Sequence, residues 1–198
     1  MDKITDKIYL GDCDGAKNEE RIKANNIKRV FSCMGYLSPK YKDKTIKQKI
    51  IELDDTPTTN IIQYFIESLR FIDETDEKVF VHCFAGVSRS ATLVIAYLMW
   101  KMQKGYKEVY DLVNKHRFVG PNIGFTKQLK IFEQKLKDAN YDIDKVDLSD
   151  VTWPPPEGIS YKDIFKDLFS LYGFIHKIII VIFFSCLLYH LFHSLFFY

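Results

Sequence analysis

The chain has 198 residues, of which 47% are hydrophobic and 27% are charged, a mixture typical of a globular protein. Its formal net charge of +2 gives no reason to expect a nucleic-acid partner, and its four cysteines lack the paired spacing of a metal site. The length allows one domain plus an appendage.

Two predicted strands and a lysine-rich segment make up the first part of the chain. Ile4–Gly11 alternates in polarity, which predicts a hairpin or a first strand. Ser38–Lys49 holds five lysines against one acid, Asp43. This segment is either a solvated loop or a basic rim that attracts acidic substrates or anionic lipid. Ile50–Leu53 is largely apolar and predicts another strand.

An acidic turn and a helix come next. Asp54–Pro57 has the composition of a turn. Asn60–Asp73 is predicted to be a helix with Asn60 as its cap. Its apolar face consists of Ile61, Ile62, Phe65, Leu69 and Ile72. The two carboxylates of the turn therefore lie close to the start of a helix.

The centre of the chain has the pattern of a strand, a loop and a helix. Lys78–Val81 predicts a buried strand, and a buried helix is predicted from Ser90 to about Lys104, with Gly105 as its stop. The loop between them contains Cys83, five further residues and then an arginine. Backbone N–H groups of such a loop can converge on an anion at the helix N-terminus, which predicts a phosphate site.

The residue types in this loop suit phosphate chemistry. The same N–H groups would stabilise a thiolate on Cys83, and Arg89 can hold two phosphate oxygens with its planar fork. Gly86 allows a tight turn of the backbone around the ligand. The alternative is that Cys83 is only a small buried hydrophobic residue. Its polar neighbours, such as His82 and Ser88, argue against that alternative.

Two more helices complete the predicted domain. Tyr106–Arg117 predicts a helix, and Phe125–Lys137 predicts the last one. A turn containing Pro121 and Asn122 joins them. We interpret Arg117 and the histidine before it as structural rather than catalytic residues.

Three stretches of the sequence resemble one known family. The run "HCFAGVSRS" at 82–90 is similar to the signature loop of the cysteine-based protein phosphatases, and "VHCFAGVSRSATLVIAYLM" closely resembles the dual-specificity phosphatases. "ITDKIYLGDCDGAKNEERIKANNIKRVFSCM" and "RFVGPNIGFTKQLKIFE" resemble the opening and closing segments of that family. The resemblance implies a short helix at about Ala16–Asn25 and a core strand at about Ile27–Cys33. The implied fold is an α/β domain with a central, mostly parallel sheet and helices on both faces.

The resemblance also implies a role for each matching residue. Cys83 is the implied nucleophile, Ser90 helps the thiolate to depart, and His82 and Asn122 support the loop. In the family, the acid that protonates the leaving oxygen lies ten residues before the Phe of a Tyr-Phe pair. In this chain the pair is Tyr64-Phe65, so the count gives Asp55, and Asp54 is the alternative. The residues implied to bind phosphate are Phe84, Ala85, Gly86, Val87, Ser88 and Arg89. This chemistry requires no metal and no cofactor.

The predicted function is a dual-specificity protein phosphatase that acts on a phosphoprotein through a phosphocysteine intermediate. One alternative is the same chemistry on a non-protein phosphate, such as a phosphoinositide or an RNA 5′ end. The other is a non-catalytic module that binds phosphoproteins. The loop carries no extra basic residue, which argues against the lipid, and the chain keeps the Cys, Arg and Asp that a binding module is expected to lose.

The C-terminal part of the chain differs in composition. We expect a catalytic domain at 1–140, an acidic, Pro-rich linker at 141–173 and a hydrophobic tail at 174–198. Ile178–Tyr198 contains no Asp, Glu, Lys or Arg and is long enough to span a bilayer as a helix. A membrane anchor that leaves the domain facing the cytosol is therefore expected; a membrane-surface helix and a non-functional extension are the alternatives.

Overall fold

A mixed five-stranded sheet forms the centre of the computed structural model, which describes residues 1–155 and 158. The strands are β1 (Asp2–Lys3), β2 (Ile8–Gly11), β3 (Ile27–Ser32), β4 (Lys47–Ile50) and β5 (Lys78–His82). Their order in the sheet is β1-β2-β5-β3-β4. β1 is antiparallel to β2, and all other neighbours are parallel. The mostly parallel sheet is confirmed, and β5 lies at its centre.

Six α-helices flank the sheet within the described residues. They are α1 (Cys13–Lys17), α2 (Glu19–Ala24), α3 (Phe65–Asp73), α4 (Arg89–Met102), α5 (Tyr106–His116) and α6 (Ile123–Asp138). Short 3-10 turns occur at Gly35–Leu37, Ile62–Tyr64 and Ile143–Lys145. The helix predicted near the N-terminus is divided in two at Asn18, whose side chain accepts a hydrogen bond from the N–H of Arg21 and so begins α2.

Successive residues of β5 point to opposite faces of the sheet and thereby divide the core in two. Val79 and Val81 belong to the larger cluster, which also contains buried residues of α3 to α6. Phe80 belongs to the smaller cluster, together with Ala16 of α1 and Ile22 of α2. Helices therefore cover both faces, as the sequence predicted. A central strand buried on both faces holds its carboxyl end firmly in place.

The strand predicted at Ile50–Leu53 lies earlier in the chain, at β4. β4 is an edge strand that alternates lysines with Gln48, so its composition does not show the apolar pattern of a buried strand. Ile51 and Leu53 are instead core residues in the irregular segment after β4. Pairing with β3 continues there through a 2.9 Å hydrogen bond from the N–H of Ile51 to the carbonyl of Ser32.

The predicted cap of α3 is also wrong. Asn60 Oδ1 is buried and has no hydrogen-bond partner among the described residues, and the helical segment begins at Ile62. The first backbone N–H groups of this segment are instead bound by a side chain of another helix. Gln128 Oε1 of α6 accepts from the N–H groups of Ile61 and Ile62, each at 2.9 Å. Gln128 is fully buried, and its Nε2 donates to the carbonyl of Thr59 at 2.9 Å. One side chain therefore ties the start of α3 to α6.

The predicted stop of α4 is displaced by two residues. Gln103, and not Gly105, terminates α4 in the left-handed conformation, with φ of +54°, and its N–H bonds to the carbonyls of Met99 and Trp100. Gly105 has an extended backbone and precedes α5.

Residues 141–151 pack against the domain, whereas the sequence predicted an extended linker there. Tyr141, Ile143, Val146, Leu148 and Val151 are partly buried against the larger core, and the compact unit runs from Met1 to Pro156. The acidic residues of this segment remain at the surface, where they form ion pairs. An example is the pair of Asp150 with Lys135 at 2.6 Å.

The predicted tail at 174–198 lies outside the described residues. Within the residues that are described, no helix is both long and apolar enough to cross a bilayer. The anchor, its membrane partner and its cytosol-facing location stay predictions from the sequence.

We predict that Gln128→Leu lowers the free energy of unfolding by about 2–4 kcal/mol, because each unsatisfied buried polar group costs roughly 1–3 kcal/mol. Urea denaturation of the full chain measures this change. Gln134→Leu on the exposed side of the same helix is the control, since that side chain bonds only outward to Asp138; we expect a change within about 0.5 kcal/mol. Equal stability of the two variants would contradict the capping role of Gln128.

Candidate active site

The loop between β5 and α4 places a buried sulfur at the carboxyl end of the central strand. Cys83 follows the last residue of β5, and its side chain is inaccessible to solvent apart from 1% of its surface. Its Sγ accepts hydrogen bonds from the N–H of Gly86 and the hydroxyl of Ser90, both at 3.2 Å. Two donors, one from the loop and one from α4, therefore converge on the sulfur.

The start of α4 leaves its first N–H groups without a side-chain cap. Ser88 occupies the N-cap position, but its hydroxyl donates to Asp55 Oδ1 at 2.7 Å and accepts from the N–H of Asn122 at 3.1 Å. The first N–H groups of a helix have no partner within the helix. Such a helix start, beside the turn of the loop, favours an anion.

The carboxylate of Asp55 joins three segments of the chain. Besides the Ser88 hydroxyl, its Oδ1 accepts from Asn122 Nδ2 at 2.9 Å, and its Oδ2 lies 3.6 Å from Nε of Arg89. Asp54 is exposed and makes none of these contacts. The structure therefore places Asp55, rather than Asp54, among the loop residues.

Arg89 is held at the first position of α4 by two carbonyl groups. Its Nη1 donates to the carbonyls of Leu53 at 3.0 Å and of Cys33 at 3.3 Å. Cys33 directly follows β3, and Leu53 lies just before the acidic turn. The guanidinium is thus fixed beside the Asp55 carboxylate with 17% of its side chain exposed.

Asn122 serves both α6 and the loop. Its Oδ1 accepts from the N–H of Phe125 at 3.0 Å and so caps α6, while its Nδ2 contacts Asp55 as described above. The neighbouring Gly120 N–H donates to the carbonyl of Val87 at 2.9 Å. Asn122 therefore lies next to the loop, and its supporting role stays a prediction.

Arg117 braces the loop from outside, a contact that the sequence did not reveal. Its Nη2 donates to the carbonyl of Ala85 at 2.9 Å and its Nε to that of Gly86 at 3.0 Å. In a trans peptide the C=O and the following N–H point in opposite directions. Holding the Ala85 carbonyl outward therefore turns the Gly86 N–H inward, where it meets the Cys83 sulfur. Asp2 and Asp12 hold the guanidinium in turn.

Gly86 is required where the loop passes closest to β2. Its φ is +69°, and a Cβ there would lie 2.3 Å from the carbonyl oxygen of Gly11. Only glycine fits this combination of conformation and contact. The tight turn at Gly86 therefore has a specific cause, and its part in binding phosphate stays a prediction.

His82 is a fully buried residue stacked on Phe80, with ring centroids 5.4 Å apart. Burial lowers the pKa of His82 to about 4, so its ring is neutral at pH 7. Its Nδ1 lies 3.4 Å from the carbonyl oxygen of Cys83.

No group of three or more His, Cys, Asp or Glu side chains in the described part of the chain is placed to hold a metal ion.

The lysine-rich segment is partly anchored in the smaller core. Tyr41 and Ile46 are buried there, and Asp43 pairs with Lys23 of α2 at 3.6 Å. Lys49 of β4 pairs with Glu67 of α3 at 3.2 Å. β4 is separated from β5 by β3, so the basic rim around the loop stays a prediction.

Comparison with known proteins identifies a family for most of the described chain. Residues 8–135 match the family model for the dual specificity phosphatase catalytic domain. The chain is 45% identical over 138 residues to MAP kinase phosphatase with leucine-rich repeats protein 1 of Dictyostelium discoideum, a match that covers 68% of this chain and 16% of that protein. It therefore spans less than a fifth of that relative's length.

A shorter relative and a solved structure match over most of their length. Dual specificity protein phosphatase 22 of Homo sapiens is 36% identical over 138 residues, which cover 68% of this chain and 74% of the relative. The crystal structure of DUSP15 superimposes with a TM-score of 0.65 at 31% identity, covering 70% of this chain and 90% of that one. Because the family model matches residues 8–135, well over half of the chain, and a relative that is covered to 74% is 36% identical, this chain belongs to the dual specificity phosphatase family.

Proposed function

We propose that the chain is a cysteine-dependent protein phosphatase that releases phosphate from phosphotyrosine and from phosphoserine or phosphothreonine. The observation that carries the proposal is one cluster of three groups: a buried sulfur with two donors, a fixed guanidinium and a carboxylate. These are the groups needed for a nucleophile, a phosphate clamp and a proton donor.

In the first step, the Cys83 thiolate attacks the phosphorus atom of the substrate. A P–S bond forms, the P–O bond to the Tyr, Ser or Thr oxygen breaks, and Asp55 transfers a proton to that oxygen. Arg89 and the loop N–H groups hold the phosphoryl oxygens, where negative charge must be stabilised.

In the second step, water hydrolyses the phosphocysteine. Asp55 takes a proton from the attacking water, a new P–O bond forms, and the P–S bond breaks. Ser90, whose hydroxyl lies 3.2 Å from the sulfur, donates to the departing thiolate. The enzyme returns to its initial state with inorganic phosphate as product.

The composition of the loop supports a protein substrate over a phosphoinositide. Phe84 is 61% exposed at the surface of the loop, and Val87 is another apolar member. An exposed aromatic ring suits contact with a peptide, whereas a polyphosphate head group requires further cations. Rates on phosphopeptides, phosphoinositides and 5′-phosphorylated RNA, compared on one preparation, would separate these substrates.

We predict that wild-type protein hydrolyses a phosphotyrosine peptide and that Cys83→Ser does not. The hydroxyl stays protonated at neutral pH, and loss of a nucleophile lowers turnover by several powers of ten. Phosphate release and the unfolding midpoint should be measured together, since the substitution is nearly isosteric. A correctly folded Cys83→Ser protein with more than about a hundredth of wild-type activity would overturn the covalent mechanism.

The two aspartates of the acidic turn should differ sharply. Asp55→Asn is expected to lower turnover of a phosphotyrosine peptide by about 100-fold or more, since general acid catalysis contributes roughly 10²–10⁴-fold. The loss should be smaller for p-nitrophenyl phosphate when release of p-nitrophenolate is measured in the first turnover, because this group departs without a proton and hydrolysis of the phosphocysteine has not yet begun. Asp54→Asn, the matched control, should change either rate by less than about twofold. The reverse pattern would assign the acid to Asp54.

A further inference from the structure

The segment after α6 continues the folded domain beyond the family match. The match ends at residue 135, and we call residues 139–155 the C-terminal strap. Trp100 Nε1 of α4 donates to the carbonyl of Tyr141 at 3.1 Å, and Arg70 of α3 pairs with Asp144 at 2.8 Å. With the apolar contacts described above, these bonds hold the strap against α3, α4 and α6.

The end of the strap reaches the turn that carries Asp55. Trp153 Nε1 donates to the carbonyl oxygen of Pro57 at 3.1 Å, a contact between residues 96 positions apart in the sequence. Pro57 lies two residues after Asp55, on the same short turn. The indole is half-buried, so the bond is partly shielded from competition with water.

The carbonyl of Pro57 also packs closely against the first turn of α6. A Cβ placed on Gly124, in the first turn of α6, would lie 1.9 Å from this oxygen. The oxygen therefore lies directly against the backbone of α6 while the indole of Trp153 binds it. By contrast, the neighbouring residues Asp54, Thr56 and Thr58 are exposed. Pro57 is accordingly a point within the acidic turn at which the backbone is fastened to the domain.

We propose that Trp153 is a positioning residue for Asp55, through which the C-terminal strap sets the geometry of proton transfer. The inference rests on the proposed function, because it takes Asp55 as the proton donor. A reacting group must be held in a narrow geometry, and a displacement of 1 Å can slow a reaction about 100-fold. Loss of one indole N–H bond would loosen the turn and leave Cys83 and Arg89 in place.

The test is Trp153→Phe in the full-length chain, which keeps an aromatic ring and removes the N–H donor. Turnover of a phosphotyrosine peptide should fall by about three- to tenfold, the effect expected from losing one modest hydrogen bond. Release of p-nitrophenolate from p-nitrophenyl phosphate in the first turnover, before the phosphocysteine is hydrolysed, should change by less than about twofold, because this leaving group departs without a proton. The ratio of the two rates comes from one preparation, so any inactive fraction of the protein cancels.

Trp100→Phe is the matched control. It removes an indole-to-carbonyl bond of the same length from the same strap, but Trp100 lies 11 residues after Arg89, about 16 Å along α4. This variant should leave the ratio of the two rates unchanged. A shift of equal size in both variants would show that the strap acts through general stability, and the proposal would be wrong.

A double variant asks whether Trp153 acts through Asp55. Trp153→Phe should have little further effect on the phosphotyrosine rate when added to Asp55→Asn, because the group that it positions is already lost. An additive loss would contradict the proposal. If Cys83→Ser and Asp55→Asn behave as predicted while Trp153→Phe leaves the ratio unchanged, the inference fails and the proposed function stands. If the wild-type protein releases no phosphate, the proposed function itself fails.

Discussion

The carboxylate of Asp55 and the hydroxyl of Ser88 form the connection on which the site depends. Ser88 donates to Asp55, accepts from the backbone of Asn122, and stands at the N-cap of α4. Its use in this network is what leaves the first turn of α4 uncapped. One hydrogen bond thus brings the proposed proton donor to the loop and, at the same time, keeps helix donors available for an anion.

The loop gains its shape from groups on its outer side. Arg117 holds two loop carbonyls outward, and Gly86 packs against the carbonyl of Gly11 in a conformation that other residues avoid. A preorganised set of donors stabilises a developing charge without reorganising during the reaction. The rigid sheet beneath, with β5 buried on both faces, supplies the support for this arrangement.

The sequence predicted the parts of the molecule that are encoded locally. The strand before Cys83 and the helix after Arg89 have short-range patterns, and the Pro-Asn turn is a local cap for α6. These features were sufficient to locate the loop, and the family resemblance then implied Cys83 as its nucleophile. Asp55 was reached by counting along a family pattern, and its place beside Asn122 is consistent with that choice.

What the sequence missed depends on pairs that are far apart in the chain. Arg117 contacts a loop 31 residues earlier, Gln128 satisfies donors more than 60 residues earlier, and Trp153 meets Pro57 across 96 positions. The positions of these side chains follow no helical or strand periodicity in the sequence. Their partners are backbone atoms, which every residue has, so the sequence does not indicate which residue they contact. The first part of the predicted linker at 141–173 belongs to the strap for the same reason: its apolar residues are spaced irregularly among acids, and only the fold brings them to the core.

The central claim is that chemistry at this site passes through a covalent bond to Cys83, with Asp55 acting in both steps. Rapid mixing of Asp55→Asn with p-nitrophenyl phosphate tests it directly, because this leaving group departs unaided while hydrolysis of the phosphocysteine lacks its base. A burst of p-nitrophenolate equal to the enzyme concentration should precede slow turnover. Mass spectrometry of the quenched protein should then find phosphate on the peptide that contains Cys83. Turnover without a burst, with no phosphate on that peptide, would contradict the account.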